Sequence, residues 1–368
     1  MKKSMRIAYV TIHVAPEIMQ GGVGGKIKSQ TGIWREHGHE VSIFSLTPAE
    51  IPFPGERQFI FDARVNLLKR EFNRSSMLNQ MLAALEEYKP DIIYLRYGLY
   101  SFPLHHIFKI APVVLETNSN DKVEYASRGK FFYWMNRLTR NLTFASVSGF
   151  IPPTRELIRA FPAKYNKPHV VISNGIDLSC AELLPPTKNV NPVITLVASP
   201  GMNWHGVDKL IRFAETCTDI TVNIVGYSAD DVETPVPANV HLHGFLNRAQ
   251  VREIYLTTDV ACGTLALHRK NMDEACTLKV REALSYGVPV IIAYQDTDLS
   301  EVALDTILRI PNSENNVAEN HEKIRAFAYA MMGKRVEVEK VYPYFDQRKK
   351  EQSRLEFFQK ILDNSVKS

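Results

Sequence analysis

Glu274 and Glu282 bracket the segment EACTLKVRE, with seven residues between the two carboxylates. A carboxylate in a loop facing a cleft accepts hydrogen bonds from sugar hydroxyls, and one on the helix that follows grips a ribose diol. That helix is expected from about Thr277, with Leu278, Val280, Ala283 and Leu284 on its apolar face. Gly287 stops it and Pro289 opens the next strand. Lys279 and Arg281 then fall in the first turns, where the helix dipole favours anions over cations. A bound phosphate resolves the conflict; two solvated basic side chains are the plain alternative.

Three other motifs bear on chemistry. The glycines of GGVGG, Gly21 to Gly25, allow backbone N–H groups to approach a phosphate, or simply build a loop. The dinucleotide pattern fails because Ile27 stands where its third glycine is required, and the P-loop fails because Gly25 and Lys26 are followed by Ile27. Asp296, Thr297 and Asp298 form a D-x-D triplet after a late strand, which reads as a loop, so no catalytic metal is expected. Leaving-group charge then falls to cations and helix-end amides. The four cysteines have neither C-x-x-C spacing nor histidines at ligand spacing, which argues against zinc and disulfides and fits a reducing compartment.

The elements that must position these residues read as alternating strands and helices. Short β-branched apolar runs start at Arg6, Glu40, Asp91, Pro112, Ser146 and His169, and a second series at Val193, Ile220, Val240, Asp259 and Pro289. Residues 25–37 and 73–88 have helical patterns between them. The fold class is therefore α/β, two Rossmann-like doubly wound domains facing a cleft. The proline-rich stretch 182–192 is the expected linker, giving domains 1–184 and 193–341, with a terminal helix in 342–368 carrying Leu355, Phe358 and Leu362 on one face.

A chain of 368 residues with 45% hydrophobic and 23% charged content is long enough for two cores and unlike a disordered chain. No apolar run approaches the roughly 20 residues needed to span a bilayer. Residues 1–185 carry 23 Lys and Arg against 16 Asp and Glu, the remainder 21 against 24, so the basic character belongs to the first half. With Phe131, Phe132, Tyr133 and Trp134 set among Arg128, Lys130, Arg137 and Arg140, that asymmetry suits an anionic membrane surface as partner; core packing of the aromatics is the alternative. Nothing announces nucleic acid.

Taken together, Gly21–Gly22 before a helix, GHEVSIF, VISNGID, HGVDKLI, HGFL, and the two glutamates followed by GVPVI resemble the retaining glycosyltransferases of family 4, which have the GT-B fold. The resemblance implies that Glu274 holds the donor sugar, that the backbone at Thr277 and Leu278 faces the diphosphate, and that Glu282 binds the ribose. It implies that Gly21 and Gly22 close on the donor phosphate, and that the terminal helix crosses back to the first domain. The family's Arg and Lys after the first strand of the second domain are missing from SPGMNWHG, where His205 stands at the Lys position. Lys279, Arg281, His205 and Arg269 are the cations left to neutralise phosphate. In place of the acceptor-side His the chain has ETNSN, making Glu116 and Asn118 the candidates for orienting the acceptor. The implied activity is metal-independent, retaining transfer of a hexose from a nucleoside diphosphate sugar to a carbohydrate or lipid-linked acceptor, in the cytoplasm or at the inner membrane face, without cofactor. A branch common in surface-polysaccharide assembly fits the LKVRE segment. A nucleotide-sugar epimerase of the same fold and a non-catalytic nucleotide-sugar-binding subunit are the alternatives.

Overall fold

The computed structural model describes residues 4–12, 22–50, 56–232 and 235–367. The chain divides into two compact units, one of residues 1–172 and 348–368, the other of residues 173–347.

In the first unit, β1 (Arg6–Ile12), β2 (Glu40–Thr47), β3 (Glu56–Ile60), β4 (Ile92–Arg96), β5 (Val113–Glu116) and β6 (Gly149–Ile151) form one parallel sheet in the order β3-β2-β1-β4-β5-β6. Ile7, Ala8, Tyr9 and Val10 of β1 are fully buried, as a central parallel strand covered on both faces requires. The helices α1 (Gly22–Glu36), α2 (Leu67–Tyr88), α3 (Asp121–Ser127) and α4 (Lys130–Ser146) lie between strands in sequence. Helix α2 starts where the Asn66 side chain accepts from Lys69 N–H and stops where Lys89 turns left-handed ahead of Pro90.

The second unit repeats the plan. Strands β7 (Val193–Val197), β8 (Thr221–Val225), β9 (Val240–Leu242), β10 (Val260–Cys262), β12 (Val290–Ile292) and β14 (Ile307–Arg309) are parallel in the order β14-β12-β10-β7-β8-β9. A small parallel pair joins β11 (Glu274–Ala275) to β13 (Gln295–Asp296). Helices α5 (Val207–Thr216), α6 (Arg248–Leu256), α7 (Leu278–Ser285) and α8 (His321–Met331) complete it. The last helix, α9 (Gln347–Lys367), enters the first unit's core, where Leu355, Phe357, Phe358 and Ile361 pack with Ile7, Tyr9, Trp34 and Tyr94.

Each unit has the doubly wound α/β form that the strand pattern indicates, and the chain as a whole is GT-B. Three expectations need correction. The unit boundary lies between Ile172 and Ser173, not at residues 184–193, and the first unit resumes at Arg348. The proline-rich stretch is not a linker, because Leu184 is buried, its N–H bonds Tyr286 O, and Thr187 and Asn189 both bond Asp259. Third, the run starting at His169 forms only a single bridge, Phe150 to His169, because Pro152 and Pro153 follow β6 and supply no N–H to continue a ladder.

Candidate active site

Strand order in the second sheet reverses between β7 and β10, and ligands of doubly wound sheets bind outside the carboxyl ends of the strands at such a point. The loops that follow these two strands are laced together. Leu265 N–H donates to His205 O and Ala266 N–H to Trp204 O, each at 3.1 Å. Gly206 makes the approach possible: it sits at φ +76°, and a Cβ there would come within 2.8 Å of Leu265 Cβ. From below, Asn174 of the VISNGID segment anchors the turn before α7, donating its side-chain amide to Cys276 O at 2.8 Å.

Lys279 stands in the first turn of α7. Its ammonium is inaccessible and has no hydrogen-bond partner among the described residues, and burial pulls its pKa down to about 7. The Thr277 hydroxyl is 2.8 Å from Tyr294 OH rather than capping α7, and no acidic residue occupies the first turn. A buried ammonium beside uncapped helix-end amides is a site short of negative charge.

Three expected phosphate ligands are otherwise engaged. Arg281 is completely buried and held by both carboxylate oxygens of Asp296 and by Asp298 at 2.7 Å, so it pins α7 to β13 and its charge is spent inside the protein. The same contacts explain the D-x-D triplet, whose Asp298 also accepts from the Ser173 hydroxyl at 2.6 Å. Arg269 bridges Asp208 and Glu314. His205 is no cation: its Nδ1 accepts from Ser199 N–H at 3.0 Å, and burial with the nearby charges of Lys279 and Lys270 depresses its pKa to about 2. The ring is neutral, with its proton on Nε2 as a donor. Lys270, whose ammonium lies 4.6 Å over the Trp204 ring, is the cation that sequence reasoning missed; the basic run HRK was its signal.

Glu274 is buried on β11, whose pairing with Gln295 fixes its position. Glu282, within α7, is half-buried with its pKa raised by desolvation, and Arg248 approaches it at 3.7 Å from an exposed position. Leu278 opens α7 and is half-buried.

In the first unit the strand order reverses between β1 and β4. Gly21 lies outside the described residues; Gly22 opens α1 and is exposed. Glu116, at the end of β5, is 2% exposed and accepts from Tyr9 OH at 2.9 Å, Lys26 Nζ at 2.8 Å and Arg96 Nη1 at 3.0 Å. Despite its burial, Lys26, Arg96 and Arg354 hold it far below the ordinary carboxylate range. Glu116 thus anchors Lys26 and Arg96 through its two carboxylate oxygens. Asn118 is half-buried, with Oδ1 3.4 Å from Lys26 Nζ, so Lys26 and Asn118 are the side chains this anchor positions.

The two doubly wound units, each with its own switch point, have the GT-B fold. Residues 21–179 match the sequence model of Glycosyltransferase Family 4. A search of curated proteins finds no significant match. Solved structures share the fold over nearly the full length. Sucrose-phosphate synthase from Thermosynechococcus elongatus is 14% identical with a TM-score of 0.68, covering 97% of this chain and 100% of its own. HepE from Anabaena, solved with UDP and glucose, is 15% identical with a TM-score of 0.66, covering 96% of this chain and 99% of its own. The lipopolysaccharide outer core galactosyltransferase WaaB is 13% identical with a TM-score of 0.66, covering 97% of this chain and 100% of its own.

Proposed function

We propose that this protein is a retaining, metal-independent hexosyltransferase that takes its sugar from a nucleoside diphosphate donor held by the second unit. Its acceptor, a carbohydrate or lipid-linked sugar of surface polysaccharide or glycolipid assembly, is bound by the first. The observation that carries the reading is the buried Lys279 ammonium without a partner at the start of α7. A diphosphate supplies the negative charge and acceptor oxygens that Lys279 and the helix-end amides lack. Lys270 and the His205 Nε2–H stand beside it, and Glu274 and Glu282 flank it in sequence as the sugar and ribose ligands.

Reaction without a metal is supported by the occupation of Asp296 and Asp298 by Arg281, which leaves leaving-group charge to Lys279 and the α7 amides. Retention fits attack on the face from which the leaving group departs, with the donor phosphate receiving the acceptor proton. That scheme asks for positioning and electrostatics rather than a side-chain nucleophile. A cytoplasmic, peripheral location accords with the nucleotide donor, and no helix among the described residues is long and apolar enough to cross a membrane.

The test is a thermal-shift screen across nucleoside diphosphate sugars, followed by product analysis with the stabilising donor, with and without acceptors and with EDTA. Transfer with retained anomeric configuration, unaffected by EDTA, supports the proposal. An epimerised sugar from donor alone moves the reading to an epimerase. Donor binding with no turnover across acceptors moves it to a binding subunit.

A further inference from the structure

Helix α4 is inside out. A surface helix of a globular protein normally buries an apolar stripe and shows water its polar side. Here the buried residues are Asn136, Arg140, Thr143 and Phe144, three of the four polar. The exposed side carries Phe131 at 60%, Trp134 at 56%, Leu138 at 75% and Leu142 at 49%. At 100° per residue these four fall within a single stripe centred opposite Arg140.

The inversion is locked in place. Arg140 grips Asp121 through Nε at 2.7 Å and Nη2 at 2.9 Å, and also donates to Ala160 O. Asn136 donates to Asp121 at 2.7 Å and accepts from Tyr97 OH at 2.7 Å. Rolling the helix to hide its aromatics would strand a buried carboxylate and a guanidinium, which costs far more than the exposed apolar area recovers. The turn Leu104–Lys109 packs against both α4 and α2, and beside it Phe102 is 67% exposed, while α2 exposes Leu68 at 83% and Phe72 at 76%.

The charge around the stripe is of one sign. Helix α4 contains no acidic residue. Of the nearby carboxylates, Asp121 is spent on Arg140 and Glu124 on Arg128, leaving Lys122, Lys130 and Arg137 without an acidic partner among the described residues. On the flank of α4, between the stripe and its buried side, a surface pocket is lined by Lys122, Tyr133, Asn136, Arg137, Arg140 and Asn141, and in it Lys122 and Arg137 are the basic groups not engaged by Asp121.

We propose that α4 is the element by which this protein lies on an anionic lipid bilayer. Phe131, Trp134, Leu138 and Leu142 enter the boundary between headgroups and acyl chains, and the Lys122–Arg137 pocket receives a lipid phosphate. Apolar insertion and anionic-headgroup attraction act together, since neither alone holds a protein firmly. The inference concerns a face remote in sequence from the donor site and stands independently of the donor reading.

The experiment is flotation of the full-length protein with vesicles of phosphatidylcholine alone or mixed with phosphatidylglycerol, at low and high salt. Binding is expected only to the anionic vesicles and is released by salt. Leu138→Glu should abolish it, and Lys122→Ser with Arg137→Ser should weaken it on the order of tenfold or more, given the attraction of each basic residue to an anionic leaflet. Both sets of changes are at the surface, and an unchanged melting temperature of the unliganded protein checks that they leave the fold intact. Tryptophan quenching by brominated lipid should fall sharply in Trp134→Phe, because Trp34 is buried and Trp204, half-buried, belongs to the second unit. Equal binding to neutral vesicles, or none to anionic ones, overturns the proposal. So does a concentration-dependent dimer in sedimentation velocity that Leu138→Glu dissociates without any vesicle binding, which would assign the stripe to a second copy of the chain.

Discussion

At the scale of single residues the donor site is a question of which charges are committed. Replacing Lys279 by Met should weaken nucleoside diphosphate binding by about 1–3 kcal/mol, the loss of a charge-assisted hydrogen bond, measured by calorimetric titration. The pH dependence has a definite sign. Lys279 in the unliganded protein loses its proton near pH 7, and an anionic ligand raises that pKa, so binding takes up a proton. Affinity should therefore be greatest below pH 7 and fall as pH rises through 8, and the slope contributed by this group should vanish in Lys279→Met. Glu274→Gln, by contrast, should preserve nucleotide affinity while turnover collapses, because its proposed partners belong to the sugar; equal loss of both would make Glu274 structural. Arg281→Met should behave as a folding mutation. It leaves the buried Asp296 beside half-buried Asp298 without their counter-charge, costing about 3–5 kcal/mol, visible as a lower melting temperature whether or not nucleotide is present.

At the scale of elements, α9 decides whether the first unit holds together. Its Glu351 accepts from Trp34 Nε1 at 2.8 Å and Gln30 Nε2 at 3.2 Å on α1 and from Arg354 Nε at 2.9 Å, and Arg354 donates to Tyr94 OH at 2.7 Å on β4. Tyr94 in turn stands edge-on to Tyr9, whose hydroxyl reaches Glu116. A chain of buried polar groups and stacked rings thus runs from the terminal helix, under α1, to the anchor of Lys26. Glu351→Leu strands the Arg354 guanidinium and should destabilise the unit by roughly 3–5 kcal/mol. Ending the chain at residue 346 strips Leu355, Phe357, Phe358 and Ile361 from the core. Since a single large-to-small core change costs about 2–5 kcal/mol, the truncated first unit should not fold, and limited proteolysis should digest it.

At the scale of the whole molecule the proposed function divides the chemistry between the two units. A nucleoside diphosphate alone should slow hydrogen exchange in the second unit, at residues 198–206, 263–270 and 274–282, while the β-strands of the first unit exchange at their unliganded rates. Protection centred on residues 116–120 instead would reverse the assignment of donor and acceptor sides. The basic excess of residues 1–185 has a structural address as well, in the pocket at α4, where Lys122 and Arg137 lie together.

The strands at Arg6, Glu40 and Val193 and the two doubly wound units were legible in the sequence because parallel strands buried on both faces leave unbroken β-branched runs; the helix carrying Glu282 was legible from its apolar face, and the GT-B plan from the family resemblance. Helix stops at Gly287 were legible too, since a left-handed residue at that position needs glycine. The strands β3 and β14 and the β11–β13 pair were not, being polar-edged or only two or three residues long. Nor could sequence tell which cations were available: Lys279, Arg281, His205 and Arg269 look alike as phosphate ligands until their partners are known. Asp296 reaches Arg281 from 15 positions away and Asp208 reaches Arg269 from 61, distances over which no local pattern operates. The same holds for α4, whose amphipathic pattern is plain in the sequence while the choice of face turned inward was made by Asp121, which binds Arg140 and Asn136. Residue type and local period set what each element can offer; burial and long-range charge pairing, which only the tertiary fold creates, decide which of those offers remain open to a ligand.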